Sequence, residues 1–186
     1  MEKLKHKYSD VLKKFSAQKQ EIHRLWNVGE NTARLLYFMI ELKNPVNVLE
    51  LGTSNGFSTF HLALSQKAKI YTIDVEDARQ SLARQNLSEF SNITFVSERI
   101  EDYLPKIDYK IDMLFIDANK TNYLKYLQFL EQHLTDNALV VADNIDSHAD
   151  TIKPYAEYII KSDKYITIHL SLDDGLLLSI YKKEEQ

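Results

Sequence analysis

The stretch Val46-Asn47-Val48-Leu49-Glu50-Leu51-Gly52-Thr53-Ser54-Asn55-Gly56-Phe57-Ser58-Thr59 decides how this chain is read. A short apolar run, Val46–Leu51, enters a turn with two glycines, and an amphipathic segment, Ser58–Gln66, leaves it. A buried strand, a tight loop and a helix in that order open a parallel α/β sheet. Glycine is otherwise scarce: only Gly29, Gly52, Gly56 and Gly175 occur in 186 residues, against a usual share of about 7%. Two of the four fall in this one loop. Its backbone is therefore expected to let a ligand approach, and the helix after Gly56 to present free N–H groups. The loop is neither G-x-G-x-x-G nor a Gly-Lys-Ser/Thr phosphate loop.

Working outward, the same alternation repeats downstream. Ile70–Asp74, Ile93–Val96, Met113–Ile116 and Leu139–Ala142 read as strands buried on both faces. Between them, Glu76–Glu89, a short turn near Ile100–Leu104 and Asn122–Leu134 read as crossovers. After a helix near Ile152–Lys161 the pattern changes. Tyr165–Leu170 and Leu176–Tyr181 pair as an antiparallel hairpin around Asp173-Asp174-Gly175. Upstream, Asn31–Lys43 is helical, with Leu35, Leu36, Phe38, Met39 and Leu42 mainly on one side, and Pro45 ends it. Residues 1–22 form a charged helical extension with Leu4, Tyr8, Val11, Leu12 and Phe15 at helical spacing. The expectation is one domain, 1–186: a doubly wound, mostly parallel seven-stranded sheet with helices on both faces and a C-terminal hairpin.

Composition narrows the function. With 44% apolar and 27% charged residues the chain is an ordinary globular protein. No run of 18 apolar residues exists, so no membrane span is expected, and the N-terminus lacks the apolar core of a secretion signal. Cysteine is absent, which excludes disulfides, thiolate metal sites and a Cys nucleophile. A cytoplasmic location is expected. The net charge of −4 argues against a general nucleic-acid binder, although six lysines within residues 1–20 leave room for a local basic patch.

In open parallel sheets the ligand lies beyond the carboxyl ends of the strands. The residues there are polar and specific: Glu50 and the Gly52 loop, Asp74, Asp117, and Asp143-Asn144. Asp74 stands 22 residues after Gly52, where an acid accepts bonds from ribose hydroxyls, or caps the next helix. Asp117, Asp143 and Asn144 end two strands expected to be neighbours. They offer two carboxylates and an amide oxygen around one point, a set suited to Mg²⁺, though also to helix caps and turns. Lys120, three residues after Asp117, is within reach of the same point, either as a proton acceptor or as a solvated lysine at a helix start.

These motifs resemble a known family. Val48-Leu49-Glu50-Leu51-Gly52 with Gly56-Phe57-Ser58-Thr59 is similar to the first motif of class I S-adenosylmethionine-dependent methyltransferases, a Rossmann-like fold. Phe115-Ile116-Asp117-Ala118-Asn119-Lys120, Asn122-Tyr123 and Ala142-Asp143-Asn144 resemble the signatures of the cation-dependent catechol and caffeoyl-CoA O-methyltransferases. Asn27-Val28-Gly29 and Asp174-Gly175 add to the match, which runs from about residue 22 to 182.

The resemblance implies an O-methyltransferase that uses S-adenosylmethionine and a divalent cation, Mg²⁺ first among them, on a small hydroxylated aromatic acceptor. It implies that Asn27 and Val28 line the methionine end of the cofactor. Glu50, Gly52, Thr53, Ser58 and Asp117 would also face the cofactor, Asp74 its ribose, and Ser97-Glu98-Arg99-Ile100 its adenine. Asp117, Asp143 and Asn144 would hold the cation, with Lys120 as general base. Trp26, Asn119, Lys120 and Asn144 would meet the acceptor. Asn119 replaces the acid of the plant-type Asp-Ala-Asp-Lys motif, and the loop Ile145-Asp146-Ser147-His148 is shorter and more polar than in the CoA-ester enzymes. The competing readings are a tRNA hydroxyuridine methyltransferase, using the N-terminal lysines against phosphate, and a non-catalytic S-adenosylmethionine-binding protein. His6, His23, His61, His133 and His169 read as helix or strand surface, His148 as an exposed loop residue. A homodimer through the first helix is the alternative to that helix covering the site.

Overall fold

The structure is a computed structural model, and it describes residues 6–21 and 25–183. Parts of three expectations lie outside them: the start and end of the 1–22 extension, with Lys3, Lys5 and Leu4, and also His23. In chain order the elements are α1 (Ser9–Glu21), α2 (Glu30–Lys43), β1 (Asn47–Leu51), α3 (Phe57–Ala63), β2 (Lys69–Ile73), α4 (Asp77–Asn86) and β3 (Ile93–Val96). They continue with α5 (Ile100–Tyr103), β4 (Ile111–Ile116), α6 (Tyr123–Leu130), β5 (Leu134–Ala142), α7 (Ala149–Lys161), β6 (Tyr165–Leu170) and β7 (Leu176–Tyr181). No helix among the described residues is long and apolar enough to cross a membrane.

The seven strands form one sheet in the order β3-β2-β1-β4-β5-β7-β6. The first five pair in parallel, while β7 runs antiparallel to both β5 and β6. Chain order reverses between β1 and β4, so the crevice beyond their carboxyl ends is the topological switch point where ligands bind.

Alternation along each strand splits the core in two. Leu49, Leu51, Leu114, Ile116 and Val140 face one side and pack with Tyr123, Leu127 and Ile159 of α6 and α7. Val48, Met113, Phe115 and Val141 face the other, against Tyr8, Phe15, Leu36, Ile40 and Phe60 of the N-terminal segment, α2 and α3. Each such side chain withdrawn from water stabilises the fold by about 1.5–3 kcal/mol.

Three local features differ from expectation. The buried stripe of α2 is Ala33, Leu36, Met39 and Ile40, while Phe38 and Leu42 point to solvent. The sheet end β5–β7–β6 lacks a covering helix on that side, leaving Ile166, Ile168 and Ile180 exposed. β5 also begins at Leu134 rather than Leu139, because the Thr135–Ala138 irregularity is spliced into the ladder with β4. Asn137 takes a left-handed φ of 60° there. Thr135 donates to Asp112, which also caps the entry to β1 by accepting from the Val46 and Asn47 N–H groups.

Candidate active site

The crevice starts with the loop after β1. Gly52 has φ 105°, which disfavours any other residue, and a Cβ there would collide with the backbone carbonyl of Asp117. Its missing side chain makes room for the neighbouring β4 loop of the protein itself. The approach inferred from sequence is thus made by protein backbone. A fully buried polar chain sets the floor of the loop. Gln80 Nε2 donates to Thr53 Oγ1 (3.1 Å), Thr53 and Thr72 hydroxyls share a bond of 2.7 Å, and Thr72 donates to Glu50 Oε2 (2.6 Å). Thr59 Oγ1 donates to the same oxygen at 2.5 Å, while Glu50 Oε1 is buried without a partner. Burial pushes the Glu50 carboxyl up to about 7, against the pull of these hydroxyls.

Asp74 joins the first loop to the turn that precedes α4. Its Oδ2 accepts from Ser54 N–H (2.9 Å), tying β2 to the first loop, and its Oδ1 accepts from Glu76 N–H (3.0 Å) just before α4. Asn27 Oδ1 is buried without a partner and Val28 is buried, beside Gly29. Ser58 lies at the start of α3, nearly buried.

On the other side of the switch point, Asp117 and Asp143 are the first residues after β4 and β5, whose last pairing is Ile116↔Ala142. Backbone bonds lock this step: Asp117 N–H to Leu51 O (2.9 Å) and Asp143 N–H to Ile116 O (3.0 Å). Lys120 Nζ sits 2.8 Å from Asp117 Oδ1, both side chains largely buried. Burial raises the Asp117 carboxyl, opposed by the Lys120 charge. Asp143 is pushed up to about 7, by burial first and then by the charge of Asp117. Asn144 takes a left-handed φ of 66°.

Asp143 Oδ1 and Asn144 Oδ1 are both buried and neither has a hydrogen-bond partner. Two orphaned oxygens beside a second carboxylate are what a hard, oxygen-seeking cation would satisfy, so these residues fit the implied metal. The set is two carboxylates and an amide, and no group of three His, Cys, Asp or Glu side chains among the described residues forms a separate metal cage.

Other expected residues are placed differently. Asn119 is exposed and its Oδ1 caps the turn Lys120–Asn122, accepting from Thr121 N–H (3.2 Å) and Oγ1 (2.9 Å). Trp26 is neither core nor enclosed: it is 69% exposed, with the Arg79 guanidinium 4.9 Å from its ring centre. Glu98, Arg99 and Ile100 follow β3, four strands from Asp143; Glu98 pairs with Lys106 at 2.5 Å. Four strand spacings make a crevice of about 19 Å, long enough for an extended nucleoside-bearing ligand.

Several groups that shape the site carry no local sequence signal. Asp173 in the β6–β7 turn accepts from Thr32 N–H (2.8 Å) and Asn31 Nδ2 (3.2 Å), holding the start of α2 where Gly29 has no side chain to obstruct it. Asp174 lies close enough to raise both Asp117 and Asp143. Gln18 on α1 accepts from Asn55 (3.0 Å) and Asn86 (2.9 Å), fastening that helix to the first loop. Only the three-dimensional pairing reveals these. His61, expected on a helix surface, is 6% exposed because Phe57 and Phe60 enclose it.

Comparison with known proteins bears on the fold and the family. Residues 49–145 match the family model described as a methyltransferase domain. A catechol O-methyltransferase of Niastella koreensis is 29% identical over 128 residues, covering 64% of this chain and 58% of that enzyme. Catechol O-methyltransferase B of Danio rerio is 27% identical over 180 residues, covering 86% and 67%. The chain thus spans about three fifths of the first relative's length. Among solved structures, a Staphylococcus aureus protein assigned as a candidate caffeoyl-CoA O-methyltransferase superposes with TM-score 0.82 at 27% identity, over 92% of this chain and 91% of that one. An O-methyltransferase from Bacillus cereus, solved in complex with SAH, shares the fold at TM-score 0.81 and 20% identity, over 94% and 90%. With half its length matched by that model and the sheet order of the fold in place, the chain belongs to the methyltransferase-domain family.

Proposed function

We propose that this chain moves the methyl group of S-adenosylmethionine to a hydroxyl oxygen of a small catechol-like or phenolic acceptor, with a divalent cation, Mg²⁺ by the hardness of its ligands, at Asp117, Asp143 and Asn144. One observation carries the reading. The two orphaned oxygens, Asp143 Oδ1 and Asn144 Oδ1, stand beside the Asp117–Lys120 pair at the carboxyl ends of adjacent strands.

The cofactor supplies a sulfonium methyl, and the cation supplies Lewis acidity that favours the ionised form of a coordinated hydroxyl. The rest falls to the protein. Asp74 receives the ribose hydroxyls, and Asn27, Val28, Thr53 and Ser58 bound the methionine end. Glu98, Arg99 and Ile100 border the adenine. Asp117, Asp143 and Asn144 would hold the cation at their common step at the sheet edge, which limits the freedom of whatever binds there. Lys120 Nζ is the acceptor of the hydroxyl proton, so that the oxygen attacks as the carbon–sulfur bond breaks and the sulfur leaves uncharged. A vicinal diol suits the site because both oxygens can serve as ligands. Trp26 and Asn119, both exposed, are then contacts for the outer part of the acceptor.

The test is transfer of labelled methyl from S-adenosylmethionine to catechol and caffeate, with Mg²⁺, with EDTA, and in Asp143→Ala. Transfer that requires metal and Asp143 is the expected result. Intact cofactor binding without transfer to either phenol overturns the acceptor assignment. Transfer to hydroxyuridine-containing tRNA would then point to the nucleic acid, and no transfer at all to a binding protein.

A further inference from the structure

A cavity of about 480 Å³ lies beneath α1, walled by side chains of α1, α2, α3 and the segment before α2. None of Asp117, Lys120, Asp143 or Asn144 lines it, so it is separate from the acidic cluster. Its volume is within the range of small-molecule sites, roughly 300–1,000 Å³. The walls are apolar, from Phe15, Val28, Phe57 and Phe60, whereas Lys13, Lys19 and Arg34 stand around them. The one acid among the lining residues, Glu30, is 3.4 Å from Arg34, Lys13 is 3.5 Å from Asp10 outside the lining, and Lys19 has no ion-pair partner among the described residues. The surplus charge is positive.

One polar group in the wall is buried. His61, 6% exposed, is held edge-on by Phe57 and Phe60, with ring centres 4.9 and 5.0 Å away. Its Nδ1 is 2.9 Å from the Phe57 carbonyl, which can only accept, so Nδ1 carries the proton and Nε2 presents a lone pair. Burial holds the imidazole below its ordinary range and hence neutral. Nε2 has no protein donor among the described residues, though His61 lines the cavity. Nε2 is open to the cavity, where a ligand hydroxyl or N–H can donate to it.

We propose that the cavity beneath α1 binds a small amphipathic anion: an apolar body against Phe15, Phe57 and Phe60, an acidic group at Lys13, Lys19 and Arg34, and a hydroxyl or N–H donated to His61 Nε2. The site shares Asn27 and Val28 with the methionine end of the crevice and is otherwise built from different residues.

The probe is 8-anilinonaphthalene-1-sulfonate, which combines an apolar body, an anion and one N–H. Its fluorescence is titrated into the full chain and into Ser16→Trp, Lys19→Glu and His61→Phe. Ser16 and Lys19 are exposed residues of α1 that line the cavity, so the first two changes fill or recharge it without touching the core. Saturable binding of one equivalent is expected, weakened about tenfold or more by Ser16→Trp and several-fold by Lys19→Glu. Octanoate should displace the dye better than octanol, and 8-hydroxyoctanoate better than octanoate. His61→Phe should abolish that last preference. S-adenosylhomocysteine affinity within about threefold of the unaltered protein shows that each variant is folded. Equal dye binding in Ser16→Trp and Lys19→Glu overturns the proposal, as does one-for-one displacement of the dye by S-adenosylhomocysteine, which would place it in the crevice.

Discussion

Replacing Glu50 by Gln should change how stability depends on pH more than it changes stability at any one pH. Glu50 is fully buried, and burial moves its carboxyl from an ordinary 4.5 to about 7. Between those values the native state holds the proton and the unfolded chain does not, so native stability declines as pH rises through the window and levels off above the folded value. At about 1.4 kcal/mol per unit, the loss attributable to this one group between pH 5 and pH 8 is about 2.5 kcal/mol. Glu50→Gln removes the titration while keeping an oxygen that can accept from Thr59 and Thr72. The amide placed at the partnerless Oε1 position adds a cost of about 1–3 kcal/mol, but that offset is independent of pH. Urea unfolding of both proteins in EDTA, without cofactor, at pH 5, 6, 7 and 8 isolates the slope. The variant should gain about 2.5 kcal/mol relative to the parent across the series. Parallel profiles would refute the reasoning, because they would mean that Glu50 is ionised in the folded protein and that water or a cation reaches it.

Lys120→Ala should lower methyl transfer by about 10²–10⁴-fold, the ordinary worth of a positioned base, while calorimetry finds S-adenosylhomocysteine binding within about threefold. Asp173→Ala removes the cap on α2 and should cost about 1–2 kcal/mol in urea unfolding at neutral pH. Although burial works to raise it, the bonds from Thr32 and Asn31 hold the Asp173 carboxyl low. Its contribution is therefore present above about pH 4 and lost as pH falls through the depressed value, so parent and variant should converge in acid. Gly52→Ala places a methyl against the Asp117 carbonyl at a φ of 105°. It should destabilise by at least about 2 kcal/mol, read as a lowered Tm, and weaken cofactor and metal together.

Much of the sheet was legible because its strands are buried on both faces, and an uninterrupted apolar run such as Met113–Ile116 has few other uses. The hairpin strands Tyr165–Leu170 and Leu176–Tyr181 were readable to the residue, since Asp-Asp-Gly marks the turn between them. Legibility failed where tertiary contacts overrule local pattern. Thr135-Asp136-Asn137 has the composition of a turn but belongs to β5, because Asp112 and the β4 ladder engage it. The start of α7 was placed near Ile152, which would have put Pro154 in the first turn. The helix begins at Ala149, and burial of Ile152, Tyr155 and Ile159 carries it through that proline. Phe38 and His61 exchange their expected places for the same reason: apolar patterning cannot say which side of a helix the sheet will cover. In the candidate site, the acids at the strand ends could be read from position, whereas Gln18, Gln80 and Asp173 act across 27 to 142 residues of sequence and leave no local trace.

That last distance bears on how the protein is made. The helix that follows the Asn27–Val28 wall receives its cap from a turn 141 residues later, between the final two strands. On the ribosome, α2 emerges long before the hairpin that anchors it, so the start of that helix is fastened only when β6 and β7 leave the exit tunnel. Nascent chains lacking β6 and β7 would hold the loops after β1 and β4 yet leave the start of α2 unfastened and one edge of β5 open. Cofactor affinity should consequently appear late and abruptly along synthesis, at about the point where the hairpin closes.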